Sequence, residues 1–224
     1  MVLSRDEVWA SYQSKAKYYD FALRLYGLLG IRTTYRRLAI GKLNLKPGDR
    51  VVELGCGTGI NFPFIMEKIG STGRLTGIDF SSAMLEKAER RVKRFAWKNV
   101  ELIESDIATY DFQEPPDAVL SVGVFGYLPD YDRIIRNISD HLAPGGRLAI
   151  MDGKKPDRRP LWFKTILWAS KPFGVTLDYG DRCPWKSVEE HLVDTSFDQI
   201  YGGAMYISAG TKPISESTRL ASAR

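Results

Sequence analysis

Cysteine and histidine are both scarce in this chain: its 224 residues hold two of each. Cys56 and Cys183 are too few for a disulfide framework, and Cys56 lies inside a glycine-rich turn, which points to a reducing, cytosolic protein. His141 and His191 have no cysteine cluster near them, so no metal is expected. No apolar run reaches the ~18 residues of a spanning helix. The opening "MVLSRDEVWASYQSKAKYYD" lacks the continuous apolar core of a secretory signal. Internal repeats and glycine–serine linkers are missing too, which argues against a split into several large domains. What is present, a 44% hydrophobic fraction, suits one α/β domain with a sizeable core.

Acids are nearly absent from two stretches. Between Ser11 and Pro47 eight Lys or Arg accompany only Asp20, and between Lys154 and Phe173 six bases accompany only Asp157. Within a net charge of +5, these segments are the candidates for meeting an anionic surface or substrate. The expected location is cytoplasmic, with peripheral attachment to the inner face of the cell membrane as an option.

From residue 50 short apolar runs alternate with helical patterns. "RVVEL", "GRLTGID", "NVELIES", "DAVLSVG" and "RLAIMDG" read as strands. Helices are expected from about Ile60 to Ile69, over "SSAMLEKAERRVKRF" and over "YDRIIRNISDHL". Ser81 can cap the second of these, and Met84, Leu85, Ala88 and Val92 form its apolar stripe. The alternation implies a mostly parallel sheet covered on both faces. After a proline-rich segment, "WKSVEEHLV" reads as a helix and "FDQIYGGAMYISAGT" as two strands joined at Gly202-Gly203, an antiparallel pair that completes the sheet. The expected divisions are a helical cover over residues 1–48, a main domain over 49–212 with a basic, aromatic insertion near 154–182, and a frayed tail over 213–224.

The turn in "DRVVELGCGTGINF" carries glycines at 55, 57 and 59, with Ile60 where a dinucleotide fingerprint would place its third glycine. Gly55 permits a tight turn, while Gly57 and Gly59 let the backbone approach a ligand. Asp79 ends the second strand, where a carboxylate can accept ribose hydroxyls, and Phe80 beside it can lie against a purine. Asp106 after the third strand can take an exocyclic amine, with the Ile107 N–H on a ring nitrogen. Glu53, Asp79 and Asp106 together would repel a pyrophosphate and suit a ribose attached to a cationic group.

These motifs resemble those of the class I S-adenosylmethionine (SAM)-dependent methyltransferases. "VVELGCGTG", "GIDFSS", "ESDIATYDF", "DAVLSVGVFGYLPD" and "HLAPGGRLAIMD" occur in order across residues 50–152. The resemblance implies a Rossmann-like seven-stranded sheet with helices on both faces and its last strand antiparallel. It also implies SAM as the cofactor, S-adenosylhomocysteine (SAH) as its product, and a site formed by Glu53, Gly55, Cys56, Gly57, Gly59, Asp79, Phe80, Met84, Asp106, Ile107 and Val122. "YQSKAKYYDFALRLYGLLGIRTTYRRLAI" is similar to the opening of the quinone and phospholipid methyltransferase group. That likeness places Tyr19 at the methionine end of the cofactor, with Asp20 beside it and Lys17 on the lid.

The acceptor is expected to be hydrophobic or lipid-borne. Trp162, Phe163, Ile166, Leu167 and Trp168 stand beside Arg158, Arg159 and Lys164, a pattern of either a helix lying in a membrane surface or a cap over the cleft. "RCPWKSVEEHLVDTSFDQIYGGAMYISAG" looks like the ending of bacterial phosphatidylethanolamine N-methyltransferases, which puts Tyr201 at the acceptor and lets Arg182 and Lys186 meet a lipid phosphate. Tyr19 and Tyr201 are therefore the expected catalytic residues. Methylation of a phospholipid headgroup amine ranks first, C-methylation of a demethylated menaquinone or ubiquinone second, and a small-molecule acceptor third. No nucleic acid is expected, because Ser121-Val122-Gly123-Val124 replaces the Asn/Asp-Pro-Pro-aromatic run of the nucleic-acid amine methylases.

Overall fold

Five apolar runs form the parallel part of one sheet: β1 (Arg50–Leu54), β2 (Arg74–Asp79), β3 (Val100–Glu104), β4 (Ala118–Val122) and β5 (Arg147–Gly153). The computed structural model describes residues 34–156 and 182–214. Lys17, Tyr19, Asp20 and the aromatic residues expected to form an insertion lie outside the described residues. β1, β4 and β5 are buried on both faces, so their sequences read as unbroken apolar runs and not as alternating ones.

β6 (Val193–Ile200) and β7 (Met205–Thr211) complete a seven-stranded sheet in the order β3-β2-β1-β4-β5-β7-β6. β7 runs antiparallel to both of its neighbours. The expected fold class is the observed one.

Helices α1 (Thr34–Lys42), α2 (Phe62–Ile69) and α3 (Ser82–Phe95) supply one apolar layer. Ala39, Leu43, Phe62, Ile65 and Ala88 there pack with Val51, Leu120 and Ile207 of the sheet. On the other face α4 (Tyr131–His141) and α5 (Pro184–His191) bring Ile134, Ile138 and Val188 onto Leu54, Val119 and Ile150. Full burial of one such side chain contributes about 1.5–3 kcal/mol. Among the described residues no helix is long and apolar enough to cross a membrane.

Two local expectations change. Ser81 precedes α3 but makes no side-chain capping bond; its Oγ is buried without a partner, and its N–H instead goes to Asp79 Oδ1. Val193 belongs to β6 and not to the helix before it. The helix stops at His191 because Leu192 turns into the core, leaving the next residue in extended backbone on an edge strand.

β1 sits between β2 and β4, so the chain winds outward in both directions from this pair. Such a switch point opens a crevice at the carboxyl ends of the strands.

Candidate functional site

The turn after β1 occupies that crevice. Gly55, Gly57 and Gly59 have φ of 71°, 54° and 69°, values at which a side chain would be strained. The Gly55 and Cys56 N–H groups both donate to the Ile78 carbonyl, at 2.8 and 2.9 Å. Gly57 N–H donates to Asp79 Oδ2 at 2.8 Å, and Gly59 N–H to the Cys56 carbonyl at 3.0 Å. These amides are spent on the protein itself, so they form no cradle of free N–H groups such as a pyrophosphate needs.

The three glycines serve different neighbours. A Cβ on Gly55 would collide with Val124, from the loop after β4. One on Gly59 would lie 2.7 Å from the Phe62 ring. Only at Gly57 does it meet nothing within 4 Å, so of the three Gly57 alone has open space beside it, whereas Gly59 makes room for core packing. Cys56 likewise turns its side chain inward: it is 3% exposed and belongs to the core layer, leaving only its backbone to the turn. Arg91 of α3 ties the turn from outside, donating from Nε to the Thr58 carbonyl at 3.0 Å.

Asp79 holds this turn and the start of α3 together. Its oxygens accept N–H groups from Gly57 and Ser81 at 2.8 and 2.9 Å, with the Phe80 N–H adding a third. A carboxylate has roughly four acceptor positions, so these bonds leave about one open. Burial raises the Asp79 pKa, against the pull of those three amides.

Asp106 follows β3 and is half-buried, with Oδ1 accepting the Ala108 N–H at 2.8 Å. Ile107 beside it is buried. Phe80 and Val122 are half-buried at the ends of β2 and β4, while Met84 is 2% exposed and so packs inside. Gly123, at φ 77°, again meets open space where a Cβ would lie.

Glu53 is the most buried of the three crevice acids, 1% exposed. Asn61 Nδ2 donates to its Oε1 at 2.6 Å, and Arg36 Nη1 donates to Asn61 Oδ1 at 3.1 Å. Its Oε2 has no partner. Burial drives the Glu53 pKa up to about 8, with the Asn61 bond and Arg36 opposing and Asp79 adding to the rise.

Beyond β4 the loop is clamped. Gly126 N–H donates to Asp152 Oδ2 and its carbonyl accepts from Arg182 Nη1, both at 2.8 Å. Arg182 thus spends one of its five N–H donors on backbone, while Lys186 is exposed on α5.

Tyr201 is 42% exposed and holds φ of 52°, followed by Gly202 and Gly203 at 64° and 83°. Its ring meets Tyr35 of α1 edge-on, with centroids 6.3 Å apart. Tyr19 lies outside the described residues. A trio near the surface, Asp132, Glu190 and the half-buried His191, has ligand atoms within 4.8 Å of one another, and His191 already contacts Asp132 at 3.1 Å.

Arg36, Asn61, Val124 and Asp152 were not anticipated from the sequence. Asn61 carries a usable signal, since it is a polar residue inside the apolar run "GINFPFI". Arg36 reads as one more surface base, and only the fold reveals that it is 6% exposed.

Residues 51–146 match the family model described as a methyltransferase domain. A demethylmenaquinone methyltransferase of Listeria welshimeri is 31% identical over 57% of this chain, which spans 54% of that enzyme's length. Another, from Desulfitobacterium hafniense, is 26% identical, with 91% of this chain and 88% of the relative covered. Among solved structures, geranyl diphosphate C-methyltransferase of Streptomyces coelicolor superposes with a TM-score of 0.65 at 16% identity, covering 90% of this chain and 84% of that one. The fold is the Rossmann-like one of the methyltransferases.

Proposed function

We propose that the chain is a SAM-dependent methyltransferase whose acceptor is a hydrophobic small organic compound. The observation that carries the donor assignment is the spent glycine turn. Its amides are closed to phosphate, its one open face is at Gly57, and Glu53, Asp79 and Asp106 favour a cationic ligand bearing a ribose.

The residues present fit that donor. Asp79 offers its remaining acceptor position to a ribose hydroxyl, Phe80 lies beside the purine, and Asp106 with the Ile107 N–H takes the adenine edge. Glu53, Gly55, Cys56, Gly57 and Gly59 line the methionine end, the last two differing as described, and Met84 and Val122 back the site from the interior. Tyr19 is assigned to the same end by resemblance alone. When bound, SAM supplies a methyl group already activated on a sulfonium. The work left to the protein is orientation and a favourable field, together with removal of the proton that the acceptor loses when the methyl is attached. Tyr201 is assigned to the acceptor side.

For the acceptor, a demethylated quinone is the first reading and a phospholipid headgroup amine the second. This reverses the order that the tail of the sequence suggests. The quinone reading is supported by the Desulfitobacterium relative, whose similarity runs along nearly the whole chain. Against the phospholipid reading, Arg182, its intended phosphate contact, already donates to Gly126.

The test is transfer of a radiolabelled methyl from SAM into a total lipid extract, with the products separated by chromatography. Label in the quinone fraction supports the first reading. Label in methylated ethanolamine phospholipid replaces it with the second, and label in neither, despite SAH binding, shifts the assignment to a water-soluble acceptor.

A further inference from the structure

Arg36, Asn61 and Glu53 come from α1, the residue before α2, and β1, yet they form one buried chain. Arg36 donates to the Asn61 carbonyl oxygen and the Asn61 amide donates to Glu53 Oε1. All three are under 7% exposed: 6%, 1% and 1% in that order.

Glu53 Oε2 is fully buried and has no hydrogen-bond partner among the described residues. An unsatisfied buried polar atom is costly, more so when charged. Asn61 could have been dispensed with if Arg36 reached the carboxylate directly, but a guanidinium there would neutralise the acid permanently and fill both oxygens. The neutral amide between them anchors one oxygen, passes on only a weakened charge, and leaves the other oxygen for a visitor. Glu53 stands two residues before Gly55, at the entrance to the turn.

We propose that Arg36 and Asn61 are positioning residues for the donor's α-ammonium group: they hold Glu53 by one oxygen so that the arriving cation completes the other. This rests on the SAM reading of the site. Among the described residues the groups facing Glu53 are Asn61, Arg36, Asp79 and Cys56. Burial first, then the two acids, also raise the Cys56 thiol, so Cys56 supplies no compensating charge. With Glu53 pushed up to about 8, the empty site holds it protonated at neutral pH. The ammonium then binds the carboxylate form and the displaced proton leaves to solvent.

Isothermal titration in buffers of different ionisation enthalpy tests this, using SAH and 5′-methylthioadenosine, which lacks the amino-acid arm. At pH 7 SAH should release roughly one proton, and its affinity should rise close to tenfold per pH unit between pH 6 and 7. 5′-Methylthioadenosine should release none. Glu53→Gln should abolish the release. Asn61→Ala should weaken SAH by about tenfold, the worth of one net hydrogen bond, and leave 5′-methylthioadenosine within about twofold. Arg36→Lys should restore part of what Arg36→Met loses.

Equal losses for both ligands, or SAH binding without proton release, would overturn the positioning role while leaving the donor reading intact. A wild-type protein that binds neither ligand would sink both. Should Asn61→Ala fail to fold, the proton count of the wild type against Glu53→Gln decides alone.

Discussion

The two halves of the sheet's carboxyl edge are built on different principles. Around β1, β2 and β3, nearby residues settle the geometry: the turn amides bond to Ile78, Asp79 and Cys56, and Asp79 bonds to the residues that follow it. Around β5, β6 and β7, contacts cross the chain. Tyr35 meets Tyr201, Lys42 pairs with Asp198 at 2.5 Å, and Arg182 reaches Gly126. A ligand site of the first kind follows from a short run of sequence. One of the second kind depends on how distant segments are brought together, so a shared donor can coexist with varied acceptors.

The sharpest way to break the first half is Asp79→Ala. It removes the acceptor of two backbone N–H bonds seen at 2.8 and 2.9 Å, together with the position assigned to the ribose. Hydrogen bonds to a charged group contribute about 1.5–3 kcal/mol each, so loss of the ribose contact should lower SAH affinity roughly 10- to 150-fold. Asp79→Asn, which keeps one acceptor oxygen, should fall less. Unchanged SAH affinity in the alanine variant would refute the role of Asp79 in the site.

A smaller effect separates packing from ligand approach inside the same turn. Gly59→Ala should lower thermal stability, because its Cβ would press the Phe62 ring at 2.7 Å. Overpacking of this kind costs about 1–3 kcal/mol, or roughly 2–10 °C in a domain of this size. Gly57→Ala meets no such neighbour, so its stability cost is the left-handed backbone alone, about 1–2 kcal/mol. Its larger consequence should be weaker SAH binding at a given stability. Calorimetric melting and SAH titration of both variants check this, and identical behaviour would erase the distinction between the two glycines.

The same contrast explains what could be read in advance. The strands, and the acids at 53, 79 and 106 placed at or near their ends, follow from local pattern, since period and turn chemistry act over a few residues. The separate duties of Gly55, Gly57 and Gly59 do not, because Val124 approaches from elsewhere in the fold and the direction of the Phe62 ring is set by core packing. Nor does the second life of Arg36. Its neighbours in sequence, "TYRRLAI", suggest a basic helix face, and only the packing of α1 against α2 and against β4, β5 and β7 turns one of those arginines toward Asn61. The tail misleads most: Arg182 next to a proline-rich stretch resembles a headgroup contact, yet it spends a hydrogen bond on a loop far away in sequence.

The smallest stability effect, and the one that best sharpens the second half, is at Tyr201. A bulky aromatic residue at φ 52° is an outlier, and the two glycines after it show that this corner requires left-handed backbone. Asparagine tolerates that conformation better, so Tyr201→Asn relieves strain of about 1 kcal/mol. It also removes the edge-on contact with Tyr35, worth roughly 0.5–1.5 kcal/mol. These nearly cancel, and the melting temperature should move by no more than about 3 °C. SAH affinity should stay unchanged, because no contact joins Tyr201 to the glycine turn among the described residues. Methyl transfer should nevertheless fall clearly, through the acceptor's KM or kcat. A tyrosine kept at a position that costs stability, with no return in donor binding, is best accounted for by contact with the acceptor. Full transfer activity in the variant would remove Tyr201 from the site and leave its strain as a property of the corner alone.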